Sequence, residues 1–265
     1  MLLPLQGRNI YYDLVGAETG PTVCFAHSLA ADSGMWAEQL PVLLAAGYRV
    51  LRIDMRGHGG STPLEGAYTI DQLADDVIAV VDALQIKQFH FIGLSIGGMF
   101  GQSLGIRYAS RIKSLMLCDS QPASPADAQE RWNPRIASVQ KANSMLPLAD
   151  GTMGRWLSEN YKEKNPVRFR QIRDTVVATT PQGYIGCSRA IQNFDFRPLL
   201  PTITAPTLIV CGADDPGASP EESQGILKLL QKGRYEEIAG ARHLPNVEFP
   251  DVFNRIMMQW LEAHR

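Results

Sequence analysis

Apolar residues in this chain recur with two different periods, and the alternation between them predicts the architecture. Residues 9–15 and 22–26 are short apolar runs on either side of the turn-rich segment Gly16-Ala17-Glu18-Thr19-Gly20-Pro21, and they read as strands. Residues 48–53 read as the next strand. From 70 to 84 the period lengthens, with Ile70, Leu73, Ala74, Val77, Val80, Val81 and Leu84 at helical spacing and Asp75, Asp76 and Asp82 assigned to the polar face. A short strand over 89–92 runs into Gly93, a helix is predicted over 95–108, and another strand over 112–118.

Short apolar runs separated by longer amphipathic segments are the mark of strands and crossover helices, so the expected class is α/β with a mainly parallel central sheet flanked by helices. The rhythm stops between 120 and 200, where Pro-punctuated segments such as Trp132-Asn133-Pro134-Arg135 and Gly154-Arg155-Trp156 replace the β-like runs. It resumes with a strand at 207–211, a helix at 220–230, a strand at 235–238 and a last helix at 251–263. The predicted organisation is a core made of residues 1–119 and 201–265, interrupted by a helical cap insertion over 120–200.

Composition narrows the function classes. A chain of 265 residues that is 45% hydrophobic can bury one large core. Its 25 Lys and Arg nearly balance 27 Asp and Glu with no long basic run, which argues against nucleic acid or an anionic membrane surface as partner. No uninterrupted apolar segment approaches the roughly 18 residues of a membrane span. The first residues lack the basic start of a signal peptide and are broken at Pro4, so a soluble cytoplasmic protein is expected, with oligomeric state left open. Cys24, Cys118, Cys187 and Cys211 are widely spaced, three of them in apolar runs, and read as buried free thiols.

The chemistry is carried by Gly93-Leu94-Ser95-Ile96-Gly97. A serine hydroxyl is a weak nucleophile that needs exposure, a nearby base and donors for the developing oxyanion. The motif alone is weak, but here an apolar strand precedes it and a helix follows at once, the context a nucleophile elbow requires. In that fold an acid and then a histidine follow the serine in sequence. His243, after the strand at 235–238 and before the last helix, is the candidate base; His90 begins the strand leading to the elbow, at the wrong edge of the sheet, and His264 is penultimate. Gly212-Ala213-Asp214-Asp215-Pro216 offers two carboxylates after the strand at 207–211, with Asp215 preferred to Asp214, and Asp119 at the end of the strand at 112–118 is a third possibility. The oxyanion donors are expected at the backbone N–H groups of Leu29 and Ile96, while His27 and His58 read as structural.

With these residues in view the chain resembles the α/β-hydrolase superfamily over essentially its whole length, and within it the 3-oxoadipate enol-lactonases. Arg52-Ile53-Asp54-Met55-Arg56-Gly57-His58-Gly59 and the elbow indicate the superfamily. The narrower likeness lies in Ser28-Leu29 before Met35-Trp36, Tyr68-Thr69-Ile70, Trp132-Asn133-Pro134-Arg135, Arg155-Trp156 and Gly183-Tyr184-Ile185-Gly186-Cys187 followed by Ala190-Ile191. The resemblance implies Asp215 over Asp214, and a serine hydrolase that cleaves a small ester or lactone through an acyl-enzyme with no metal or organic cofactor. For a substrate carrying a carboxylate it makes Arg135 and Arg155, beside Trp132 and Trp156, the candidate binding residues. The sequence departs from the subgroup at His27, where asparagine is expected, and at Pro216 directly after the acid. A general carboxylesterase, a carbon–carbon bond hydrolase and a hydrolase-fold small-molecule receptor are the competing readings. Relatives that place a carboxylate at the elbow, the dehalogenases and epoxide hydrolases, are disfavoured by Ser95.

Overall fold

The computed structural model describes residues 1–265. Eight strands form one sheet: β1 (Leu2–Leu5), β2 (Arg8–Val15), β3 (Thr22–Ala26), β4 (Arg49–Ile53), β5 (Phe89–Leu94), β6 (Ile112–Cys118), β7 (Thr207–Gly212) and β8 (Gly233–Ile238), in the spatial order β1-β2-β4-β3-β5-β6-β7-β8. From β4 to β8 every pairing is parallel, and only the β1–β2 and β2–β4 pairings are antiparallel. The predicted α/β class and mainly parallel sheet are therefore what the chain forms. β3, β5 and β7 are buried along their whole length, as expected of strands covered by helices on both faces.

Helices α1 (Leu40–Ala45), α2 (Ile70–Ala83) and α3 (Ile96–Arg107) belong to the first part of the core. Between β6 and β7 lie only helices: α4 (Ala128–Ala142), α5 (Leu146–Trp156), α6 (Glu159–Lys164), α7 (Pro166–Ala178) and α8 (Pro181–Ile191). Helices α9 (Pro220–Leu227), α10 (Pro245–Glu248) and α11 (Pro250–Ala263) complete the chain. None is long and apolar enough to cross a membrane. α2 starts where its sequence says it should, because Thr69 and Gln72 form a reciprocal capping box that satisfies two otherwise orphaned amides.

Three features depart from the sequence reading. β1 was not expected: it is four residues long and contains Pro4, but it pairs with β2 at the sheet edge, where a missing N–H is tolerated. α1 was likewise too short to give a periodic signal. Asp76, assigned to the solvent face of α2, is buried, because Arg56 reaches it from the loop after β4 at 2.5 Å and Arg8 from β2 at 2.5 Å. Two guanidinium groups make that carboxylate tolerable inside. All four cysteines are free and buried, as read from their apolar surroundings.

Candidate active site

The sheet reverses its winding at β3, with β4 on one side and β5 on the other, so the carboxyl ends of β3 and β5 face a shared crevice. Into it project the loop after β3, carrying His27-Ser28-Leu29-Ala30, and the turn after β5, carrying Ser95. The next strands deliver Asp119 after β6, Asp215 after β7 and His243 after β8.

Ser95 has φ 58° and ψ −118°, a conformation that costs a non-glycine residue on the order of 1–3 kcal/mol and persists only where the surroundings impose it. Its N–H donates to the Cys118 carbonyl at 2.8 Å, while its own carbonyl accepts from the Met99 N–H at 3.0 Å and from Ser120 Oγ at 3.1 Å. The glycines of the motif allow this tight turn. A Cβ on Gly93 would collide with the Gly97 carbonyl, and one on Gly97 would lie 2.6 Å from the Ala26 carbonyl oxygen.

His243 Nδ1 lies 2.7 Å from Asp215 Oδ2 with both residues buried. The Asp215 carboxylate is itself fixed by the Gly217 N–H on Oδ1 at 2.7 Å and the Ala218 N–H on Oδ2 at 3.2 Å. Of the three carboxylates considered, Asp215 is therefore the one bonded to His243, and Asp214 is exposed. Asp119 lies behind them, fully buried, with Oδ1 accepting the Gly212 N–H at 2.8 Å and Oδ2 without a partner. Burial first, and then the neighbouring Asp215 charge, push its carboxyl well above the usual carboxylate range. Oxygens of Asp119 and Asp215 and a nitrogen of His243 lie within 4.8 Å of one another, a grouping that could hold a metal. The amides and the imidazole already bonded to Asp215, and the full burial of Asp119, suit a proton on Asp119 better than a cation.

Ser95, His243, Ser28, Leu29 and Ala30 line one cavity of about 130 Å³. The Leu29 and Ile96 amides, expected as oxyanion donors, bond to no acceptor of the protein. The opposite wall comes from the helices between β6 and β7 and brings together all four substrate-binding candidates, Trp132, Arg135, Arg155 and Trp156. Arg135 stacks over the Trp132 ring at 5.2 Å, and Arg155 donates to Thr152 Oγ1 at 3.1 Å; neither pairs with a carboxylate. Burial, and then the charge of Arg135, lower the affinity of the Arg155 guanidinium for its proton. Trp156 lies alongside His243, their rings 6.5 Å apart and inclined by 28°.

The sequence reading did not single out Arg131, Tyr184 and Gln121 as cavity residues. Arg131 stands one helical turn before Arg135, so the i, i+4 spacing of two arginines around Trp132 was the available signal. Tyr184 stood in the 183–187 segment quoted for the narrower likeness, without a role, and Gln121 carried no signal, since its approach depends on how the loop after β6 folds back. His90 is buried on β5 and bonds Ser114, away from the cavity, and His264 Nδ1 donates to the Trp260 carbonyl at 2.8 Å.

Comparison with known proteins gives a consistent family. The chain is 34% identical over 263 residues to 3-oxoadipate enol-lactonase 1 of Acinetobacter baylyi, covering 99% of this chain and 97% of the relative. It superposes on the crystal structure of the enol-lactonase from Burkholderia xenovorans with a TM-score of 0.94 at 34% identity, covering 99% of this chain and 100% of the other. A thermophilic esterase from Thermogutta terrifontis, solved with malate bound, has a TM-score of 0.90 at 26% identity, with 97% of this chain and 95% of that one covered. The family model described as the alpha/beta hydrolase fold matches residues 21–250, and the chain belongs to that family.

Proposed function

We propose that this protein is a serine hydrolase acting on a small carboxylate-bearing lactone or ester, most simply a 3-oxoadipate enol-lactone. The observation that carries the reading is one cavity holding Ser95 and the Asp215-bonded His243 on one wall and two arginines without carboxylate partners on the other. The names of the relatives support the same class, since two are enol-lactonases, and the esterase relative was solved with a dicarboxylate.

Asp215 accepts a hydrogen bond from His243 Nδ1–H, which leaves Nε2 free to take the proton of Ser95 Oγ. The serine oxygen attacks the lactone carbonyl, and the oxyanion is held by the amides of Leu29 and Ile96. The ring C–O bond breaks as His243 Nε2 gives that proton to the departing enolate oxygen, and the enol, still tethered to the acyl group, becomes a ketone by moving a proton to carbon. Water, losing a proton to His243, then attacks the acyl-enzyme, and His243 passes that proton to Ser95 Oγ as the acyl bond breaks and the acid leaves. Arg135 and Arg155 hold the substrate carboxylate, with Trp132 and Trp156 against its apolar part. The helices from 120 to 200 serve as the cap that supplies these four residues. The chemistry proceeds with the side chains and amides named, without a metal or organic cofactor.

The test is to follow the loss of enol-lactone absorbance alongside a panel of neutral aryl esters, with Ser95→Ala as control. Ser95-dependent turnover of the enol-lactone is expected; turnover confined to the neutral esters would move the assignment to a general esterase. Stoichiometric ligand binding without turnover would point to a receptor.

A further inference from the structure

His27 and His58 lie outside the reaction just described, yet each is fully buried and uses both ring nitrogens on the backbone. His27 Nδ1 is 2.8 Å from the Ser28 carbonyl oxygen, and its Nε2 is 2.9 Å from the Met55 N–H. A carbonyl only accepts and an amide only donates, so the ring must be the neutral tautomer with its proton on Nδ1. His58 repeats the pattern, with Nδ1 2.9 Å from the Arg56 carbonyl oxygen and Nε2 3.0 Å from the Ala30 N–H. Its ring is neutral for the same reason, and burial, then His27 beside it, push its pKa down to about 3. The two rings sit 5.3 Å apart.

The residue between the two grips is Leu29. A trans peptide directs its C=O and N–H to opposite sides of one rigid plane. By holding the Ser28 carbonyl, His27 fixes the plane that carries the Leu29 N–H, which points to the side opposite that carbonyl. By accepting from the Ala30 N–H, His58 fixes the next plane, and Ala30 is held at a φ of 66° that a non-glycine residue rarely adopts. The Ala31 N–H also reaches the Ser28 carbonyl at 3.1 Å, which closes the turn, so that carbonyl has the imidazole as its second partner.

We infer that His27 and His58 are positioning residues that clamp the two peptide planes flanking Leu29, so that its amide is held in place as an oxyanion donor before substrate arrives. The inference rests on the proposal that Leu29 is such a donor and extends it to the parts that orient it. The clamp is anchored on the Met55–His58 turn after β4, which explains why that turn is buried although it carries none of the reacting groups.

The amide isosteres of histidine separate positioning from packing. Asparagine places a donor where Nδ1 lies but cannot reach the Nε2 position; glutamine does the reverse. His27→Asn keeps the Ser28 carbonyl and gives up Met55, whereas His27→Gln keeps Met55 and gives up Ser28. At His58 the order inverts, because there Nε2 holds the oxyanion loop and Nδ1 holds Arg56. The expected result is a kcat for an aryl ester about tenfold or more below wild type in His27→Gln and His58→Asn, with KM within about twofold, since oxyanion donors act in the transition state. His27→Asn and His58→Gln should fall by less than about threefold. The rate at which diethyl 4-nitrophenyl phosphate modifies Ser95 should follow the same order, and thermal melting should not.

Equal losses in both variants at each position, or losses that track melting temperature, would overturn the clamp. If His27→Gln does not fold, the His58 pair decides by itself. Failure of the underlying proposal looks different: Ser95→Ala would then keep turnover, or wild-type Ser95 would resist the phosphate ester.

Discussion

Asp119 and Asp215, on adjacent strand ends, bring carboxyl oxygens within 4.8 Å of each other, yet only Asp215 bonds to His243. Asp119 is fully buried with one oxygen lacking a donor, and burial, then the Asp215 charge, push its carboxyl well above the usual carboxylate range. That shift favours the neutral form of Asp119 behind the bonded Asp215–His243 pair. Asp215→Asn is expected to lower kcat about 10³–10⁴-fold, because the imidazole loses its tautomer control and the charge that stabilises its cation. Asp119→Asn, which keeps a hydrogen on that side, should cost less than about tenfold. Steady-state kinetics of the two variants on one ester checks this, and comparable losses would place Asp119 in the proton path.

The same pair predicts a stability effect of pH. A carboxyl whose folded pKa lies above its unfolded one holds a proton that the unfolded chain has released, so its contribution is lost as pH rises above about 4. The Asp119→Asn protein should therefore gain on wild type in denaturation midpoint from pH 4 to pH 7. A constant or shrinking gap would show that Asp119 is ionised in the fold.

Two buried histidines act in the opposite direction. His58 and His90 are pushed down to about 3 and about 4, chiefly by burial, so between pH 6.5 and those values the unfolded chain takes up protons that the fold refuses. Unfolding free energy should fall on acidification by about 1.4 kcal/mol per pH unit for each. His90 bonds Ser114 away from the cavity, so His90→Gln should flatten the slope between pH 6 and 5 by about one proton with aryl-ester kcat retained. Urea titrations at several pH values read the slope directly.

Glu248 joins the helices above the cavity to the loop of His243. Its Oε1 accepts the Ser158 N–H at 2.9 Å and its Oε2 the Arg242 N–H at 2.9 Å, and the Leu244 N–H reaches the Trp156 carbonyl at 3.2 Å. Removing this buried carboxylate leaves two amides unpaired, at about 1–3 kcal/mol each. Glu248→Ala should therefore lower the melting temperature and also lower kcat, since the Arg242 end sets the height of His243. Glu248→Gln, which keeps one acceptor, should lose less of both.

The cavity arginines predict a split by substrate charge. Arg155→Met and Arg135→Met should raise KM for a carboxylate-bearing lactone about tenfold or more, the worth of a charge-assisted hydrogen bond. KM for a neutral aryl ester should stay within about twofold. Equal effects on both substrates would assign the two arginines to packing.

Much of this was legible along the chain because its causes are local. Strand and helix periods follow from which face of an element is buried, so β3, β6 and α2 fall where the apolar pattern puts them, and the Gly93-to-Gly97 turn follows from steric crowding among five consecutive residues. The order of Ser95, Asp215 and His243 along the chain was equally plain. What the tertiary structure decided were pairings between residues far apart in sequence. Asp76 read as a solvent residue because its partners, Arg8 and Arg56, come from other elements. Which carboxylate meets His243 depended on the lateral spacing of β6, β7 and β8, since Asp119 and Asp215 both stand at strand ends. The convergence of Arg135 and Arg155, and the grip of His27 and His58 on either side of Leu29, likewise arise from folding segments against one another. Periodicity records which way a side chain faces, but a hydrogen bond needs two groups within about 3 Å, and only packing sets that distance.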